Sequence, residues 1–351
     1  MASRAIVLLA AFAAERLMVR NPALTSGEQA PLLRSLTSWD GWFYLGIVRE
    51  GYHAAPVAGV YHDFAFLPLY PLLVRVLSWP WPEQAGLVAV LLSNVAFLVA
   101  MVLLYELGRT RMPAHRAARA ATLMAIFPFG FVFAMAYTES LFLALTVGSF
   151  LAAERDRRVL AGLLLGLACL TRIQGIVLVI PLAWLWLSRD GWRPRPNLVT
   201  LGLAPLAVVG FFAYTTSLTG DPRAFFTAQV AWGRAGPGTS GSVEAGTNLA
   251  AGLSPYLMAL LVILCLSVFL LVYVRPDGLG MAYGCIPVLY LGMAFASGSL
   301  EAIGRIAMVA FPYAWILANR RNGLFRAGWP LLSAGLLGLF ALLAFGGYWV
   351  P

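Results

Sequence analysis

The stretch SWDGWFYLGIVREGYH, residues 38–53, places Asp40 between Trp39 and Trp42. A carboxylate can take the proton of a weak hydroxyl nucleophile as that nucleophile attacks. Tryptophan settles where one end of the ring is apolar and the other wet, at the headgroup depth of a bilayer. The bland alternative for Asp40 is an N-cap or solvated carboxylate on an interfacial helix. His62-Asp63 follows 22 residues later. A histidine and two carboxylates suit a metal ion, but Asp40, His62 and Asp63 lack close spacing, so no metal is expected. Inside apolar runs stand Glu106, Glu139, Arg172 and Arg305. Charges at such depth face a cavity or a partner. For Arg172, pairing with Glu139 and ligand binding both remain open.

These groups sit in a chain of 351 residues that is 61% hydrophobic and 11% charged, with mean hydropathy +0.81. A soluble domain carries about a quarter charged residues, so this composition points to a polytopic membrane protein with the lipid bilayer as its solvent. All 24 basic residues are arginine and give a net charge of +9. Most lie in short clusters between apolar runs, the pattern of cytoplasmic loops rather than of a nucleic-acid surface. With no lysine, Schiff-base chemistry is excluded. Cys169, Cys265 and Cys285 all fall in apolar stretches without CxxC spacing and read as small buried hydrophobes.

The elements that must position the polar groups follow from the apolar runs. Residues 5–19 read as a first crossing with the N-terminus inside, and Glu15 and Arg16 turned toward protein or headgroups. Residues 20–84 form a first outer loop, too long for an ordinary connection. Within it, Trp39, Phe43 and Ile47 recur at four-residue steps and predict an interfacial helix with its aromatic face in lipid. Pro68 and Pro71 predict a second interfacial or re-entrant piece. Crossings are then expected at 85–108, in a hairpin over 120–153 broken near Pro128 and Gly130, and at 198–218, 256–274, 279–297, 306–317 and 329–349. Residues 159–187 have basic clusters at both ends, which predicts a hairpin turning at Arg172. The reading is an all-α protein of one domain, residues 1–351, with about eleven transmembrane or re-entrant segments. Its second outer loop spans 219–253.

Several of these blocks together resemble a known family. SWDGWFYLGIVREGYH followed by FAFLPLYPLL is similar to the first outer loop of PIG-V-type mannosyltransferases, which have bacterial relatives. FPFGFVFAMAYTESLFLAL, LACLTRIQGIVLVI, AQVAWGR and GRIAMVAFPYAW resemble further blocks, in the family's order. The resemblance implies a membrane glycosyltransferase of the GT-C superfamily in a bacterial plasma membrane. It implies a polyprenyl-phosphate donor carrying mannose, a lipid-linked or cell-envelope glycan as acceptor, inversion at the transferred carbon, and no cofactor. Asp40 matches the expected base, with His62, Asp63 and Glu139 as assisting groups. Arg172, Arg234 and Arg305 are the guanidinium candidates for the donor phosphate. Trp39, Tyr44, Tyr137, Gln174 and Gln229, within the same blocks, are the expected substrate contacts. Two rival readings are a lipid-linked sugar transporter, which needs midplane sites and related halves, and a protein O-mannosyltransferase, which shares Asp40 and differs in its acceptor groove.

Overall fold

The computed structural model describes residues 2–19, 28, 30–55, 62–231, 280–296, 303–320, 322–348 and 350. Arg234, Cys265, Glu301, the expected crossing at 256–274 and most of the second outer loop lie outside the described residues. All regular structure among the described residues is helical. The chain divides into two compact units: Met1–Gly51 with Leu69–Ala144 and Ala314–Val350, and Tyr52–Pro68 with Leu145–Tyr313.

The described residues support only part of the expected set of membrane segments. Among the described residues three helices are long and apolar enough to cross a membrane by length and composition: Pro82–Arg109, Pro196–Thr219 and Gly323–Phe345. Shorter apolar helices are Arg158–Cys169, Ile173–Arg189 and Met281–Ala294. The first helix, Ala2–Leu17, has 16 residues, about 24 Å of rise against the ~30 Å of a hydrocarbon core. The expected count of about eleven is therefore not reproduced among the described residues. Hydropathy registers apolar runs, whereas proline, glycine and buried polar residues cut those runs into helices shorter than a bilayer.

In the first unit, Ala2–Leu17 packs along Gly323–Phe345, and Ala85–Arg109 packs on Ala114–Ala125. Gly323–Phe345 begins with a cap, the Asn322 carboxamide oxygen accepting from the Phe325 amide at 3.2 Å. Glu15 accepts from the Ser35 hydroxyl at 3.1 Å, so the charge in the first apolar run meets a protein donor. The helix Asp40–Glu50 ends at Gly51, whose φ of 86° suits glycine. It packs on Leu69–Leu77 and Ala85–Arg109. Leu69–Leu77 starts just past Pro68 and carries Pro71 in its first turn, where the missing amide costs little. Tyr70 and Val74 are buried while Leu72, Val76, Leu77, Trp79 and Trp81 are exposed. That exposed apolar face beside tryptophans fits the expected interfacial piece.

The irregular stretch between Ala114–Ala125 and Glu139–Glu154 contains one short 3-10 turn, Gly130–Ala134. It interrupts the hairpin where Pro128 and Gly130 predict. Its carbonyls lack helical partners, and side chains supply them. Phe133 O accepts from Arg4 at 3.1 Å and Ser140 at 3.0 Å, and Ala134 O from Asn94 at 3.2 Å. The Tyr137 carbonyl accepts from Ser93 at 3.0 Å. Irregular backbone is tolerated at membrane depth only when the protein satisfies it in this way.

In the second unit, Arg158–Cys169 and Val179–Arg189 flank a break in which Arg172 is extended, with φ −150° and ψ 135°. The first arm rises roughly 18 Å, well short of the ~30 Å of a hydrocarbon core. The ends opposite the break are tied together by a two-pronged ion pair. Arg158 Nη1 and Nη2 donate to the two Asp190 oxygens at 2.5 and 2.9 Å, and Arg158 Nε donates to Asp156 at 2.9 Å. The segment thus goes out and returns as one hairpin. At Gly162 a β-carbon would fall 2.5 Å from the Thr200 carbonyl oxygen, so only glycine lets Pro196–Thr219 approach this arm so closely.

Hydrogen bonds from Arg158, assisted by the attraction of Arg158 and Arg195, hold the Asp190 carboxyl below its ordinary range. A depressed folded-state value adds stability above the unfolded value of about 4, and that stability is lost as pH falls through the lower folded value. Arg158→Met should therefore lower the melting temperature in detergent at pH 7. Its loss of stability on acidification below about pH 4 should also be shallower than wild type. Equal neutral melting temperatures and equal acid slopes would show that the tie contributes nothing.

Candidate active site

Asp40 is the first residue of its helix and is half-buried. A carboxylate in the first turn of a helix is a favourable placement for its charge relative to the helix dipole. The amides of this helix end are already engaged. Asp40 N–H donates to the Tyr137 hydroxyl at 3.1 Å. Gly41 N–H donates to Ser38 O at 3.2 Å and Trp42 N–H to Trp39 O at 3.0 Å. The helix end holds a carboxylate rather than offering a cradle for a phosphate.

The residue before it is strained. Trp39 has φ 59° and ψ −127°, a conformation L-residues avoid, worth about 1–3 kcal/mol of strain. Its indole Nε1 donates to the Ala344 carbonyl at 2.9 Å, at the C-terminal end of Gly323–Phe345. The buried face of the helix is Gly41, Tyr44, Leu45, Ile47 and Val48. This corrects the expected lipid-facing stripe. Trp39 lies before the helix, and Ile47 is buried because helix contacts with Leu69–Leu77 and Ala85–Arg109 outweigh the aromatic spacing.

The seat of Asp40 is the segment Tyr137-Thr138-Glu139, all buried. Tyr44 OH lies 3.2 Å from Thr138 Oγ1, which donates to Glu139 Oε2 at 3.4 Å. Glu139 opens its helix. Ser93, the hydroxyl that fixes the Tyr137 carbonyl, is itself within 2.8 Å of Tyr70 OH, which donates to Ala89 O at 2.8 Å. Tyr44 and Tyr70 rings meet edge to face at 5.3 Å. The expected substrate contacts Tyr44 and Tyr137 thus sit inside this network. Ser93 and Asn94 were passed over in the sequence. The signal was a polar pair in the middle of the apolar run LLSNVAFL.

The remaining expected residues belong to the second unit. Asp63 is 3% exposed and anchors two imidazoles. One oxygen accepts from the His53 amide at 2.9 Å and lies 3.0 Å from His53 Nδ1; the other lies 3.0 Å from His62 Nδ1. His62 stacks on Phe64 with centroids 4.0 Å apart. His53 was not among the expected residues, because only the fold brings it to Asp63. Among the described residues no three imidazole, carboxylate or thiol groups converge in a metal-holding arrangement. Gln229 Nε2 donates to Ala65 O at 3.4 Å, bringing Ala224–Ala231 onto the Asp63–Ala65 turn. Arg172 and Arg305 are both buried, and Gln174 is half-buried beside the hairpin break.

Comparison with known proteins places this geometry. Mouse GPI alpha-1,6-mannosyltransferase 2 is 36% identical over 156 residues, covering 42% of this chain and 30% of that protein. GPI mannosyltransferase 2 of Yarrowia lipolytica is 29% identical over 159 residues, covering 42% of this chain and 40% of that protein. The matched region therefore spans well under half the length of these relatives. An Archaeoglobus fulgidus oligosaccharyltransferase, solved with zinc and sulfate, superposes with a TM-score of 0.51 at 18% identity. That superposition covers 96% of this chain and 53% of that one, a likeness of fold. The family model described as Mannosyltransferase (PIG-V) matches residues 9–187, just over half the chain and all of the Asp40 seat, and the chain belongs to that family.

Proposed function

We propose that this integral membrane protein is a GT-C-type mannosyltransferase working at the outer face of a bacterial plasma membrane. It moves mannose from a polyprenyl-phosphate donor to a glycan or glycolipid acceptor. The observation that carries this reading is Asp40 at the start of a short helix inside the family-matched region, its backbone amide donating to the Tyr137 hydroxyl and the preceding Trp39 indole donating to the Ala344 carbonyl. An acceptor hydroxyl is a poor nucleophile until its proton is removed. Asp40 takes that proton as the oxygen attacks the anomeric carbon, and the bond from that carbon to the phosphate oxygen breaks. Polyprenyl phosphate leaves with the electron pair, and attack from the opposite side inverts the configuration. The lipid tail fixes the donor's sugar–phosphate bond near headgroup depth, so the base must be held there by packed structure rather than on a free loop.

The leaving phosphate gains negative charge, which a guanidinium stabilises with two parallel hydrogen bonds. Arg172 and Arg305 are the described candidates, and Arg234 is retained from the sequence. Glu139, His62 and Asp63 are the assisting groups, and Gln174 and Gln229 the polar substrate contacts. The whole chain acts as one catalytic domain.

Purified protein, labelled polyprenyl-phosphate mannose and a membrane-extract acceptor test the base. Asp40→Asn keeps the shape and removes the basicity, so transfer should fall at least about a hundredfold with an unchanged melting curve. Near-normal turnover would sink the base assignment. For the phosphate, donor affinity should decrease from wild type to Arg305→Lys to Arg305→Ala, with acceptor affinity hardly changed. Unchanged donor affinity in Arg305→Ala would move the role to Arg172 or Arg234. Topology is read by thiol labelling in a background without native cysteines. A cysteine at the exposed position Ala54 should react with an impermeant reagent in intact cells, and one at the exposed Ala114 only after lysis. The reverse pattern would invert the orientation.

A further inference from the structure

We propose that Trp39 and Tyr137 are positioning residues for Asp40, acting through its backbone rather than by touching substrate. The proposal deepens the reading of Asp40 as base and rests on it. A non-glycine residue persists at φ 59° and ψ −127° only when its surroundings over-determine it. At Trp39 the surroundings are identifiable. The indole N–H is held by the Ala344 carbonyl, 305 positions away in sequence. The next amide, that of Asp40, is held by the Tyr137 hydroxyl, 97 positions away. Tyr137 is in turn immobilised through its own carbonyl by Ser93. The backbone entering Asp40 is therefore held by two parts of the first unit that are distant in sequence.

Neither hold is what the helix alone requires. An Asp40 helix could begin from a relaxed residue, with water on its first amide, at no steric cost. The strained start turns the chain sharply just before the carboxylate and fixes the direction in which it leaves the helix end. A base must lie within hydrogen-bond reach of the proton it takes, and misplacement by about 1 Å can cost a hundredfold in rate. Strain next to a reacting group, latched by two distant parts of the fold, is the expected form of such a device.

The test uses the full-length protein in detergent with labelled polyprenyl-phosphate mannose. Tyr137→Phe keeps the ring and removes the acceptor for the Asp40 amide. Its kcat should fall about tenfold while the donor KM and the melting temperature hardly change. Trp39→Phe keeps a ring and removes the indole N–H. Its kcat should fall similarly without a matching drop in melting temperature, because relief of the backbone offsets the lost hydrogen bond. In an Asp40→Asn background neither change should lower the residual rate further, since both act through the carboxylate. Full turnover in Tyr137→Phe and Trp39→Phe with an inactive Asp40→Asn would overturn the positioning role alone, as would losses additive with Asp40→Asn. If Trp39→Phe does not fold, Tyr137→Phe decides by the same criteria. A normally active Asp40→Asn would overturn the base reading, and the positioning proposal with it.

Discussion

In hydrocarbon an unpaired backbone carbonyl or amide costs several kcal/mol, so every break in a helix must find its hydrogen bonds within the protein. The first unit is built around one such break. Between Ala114–Ala125 and Glu139–Glu154 the chain leaves regular helix, and Arg4, Asn94, Ser93 and Ser140 each donate to a carbonyl of that stretch. Arg4 also lies over the Phe97 ring at 4.0 Å, which shields its charge from lipid. The Ala136 amide reaches the Leu36 carbonyl at 2.8 Å and ties the break to the turn before Asp40. The hydrogen bonds that make irregular backbone tolerable here also build the seat on which Asp40 rests.

The second unit answers the same constraint differently. Its hairpin is broken at Arg172 and closed at the far end by Arg158 and Asp190. A buried arginine at the turn is costly unless it is neutralised by a partner or a bound anion. The same is true of Arg305, buried on Ile303–Val309. These two buried guanidinium groups are the described candidates for the proposed donor contact.

Stability and function are in tension around Asp40. Trp39 adopts a conformation that disfavours folding, and a charged residue, Glu139, is buried in the seat, accepting from Thr138. Such local conflicts are expected where a site, rather than a core, determines the choice of residue. The core around them is ordinary: Phe97 and Phe133, or Tyr44 and Tyr70, pack as aromatic pairs at 4.7 and 5.3 Å.

Much of this was legible in the residues. Apolar runs and arginine clusters identify a membrane protein, because transfer into lipid depends on composition over about 20 residues. Pro128 and Gly130 mark one break, and basic clusters at both ends of residues 159–187 mark the other, because helix termination is local chemistry. Asp40 between tryptophans stands out as a carboxylate at the interface. Tertiary structure alone decided which face of the Asp40 helix is buried. It also decided that Arg158, one more arginine of a basic cluster in sequence, closes a hairpin with Asp190. The strain at Trp39, its latch to Ala344 and the bond from Asp40 to Tyr137 had no local signal. Periodicity and hydropathy describe neighbours within a turn or a bilayer's thickness, whereas a hydrogen bond across 97 or 305 positions exists only once packing has brought its two ends together.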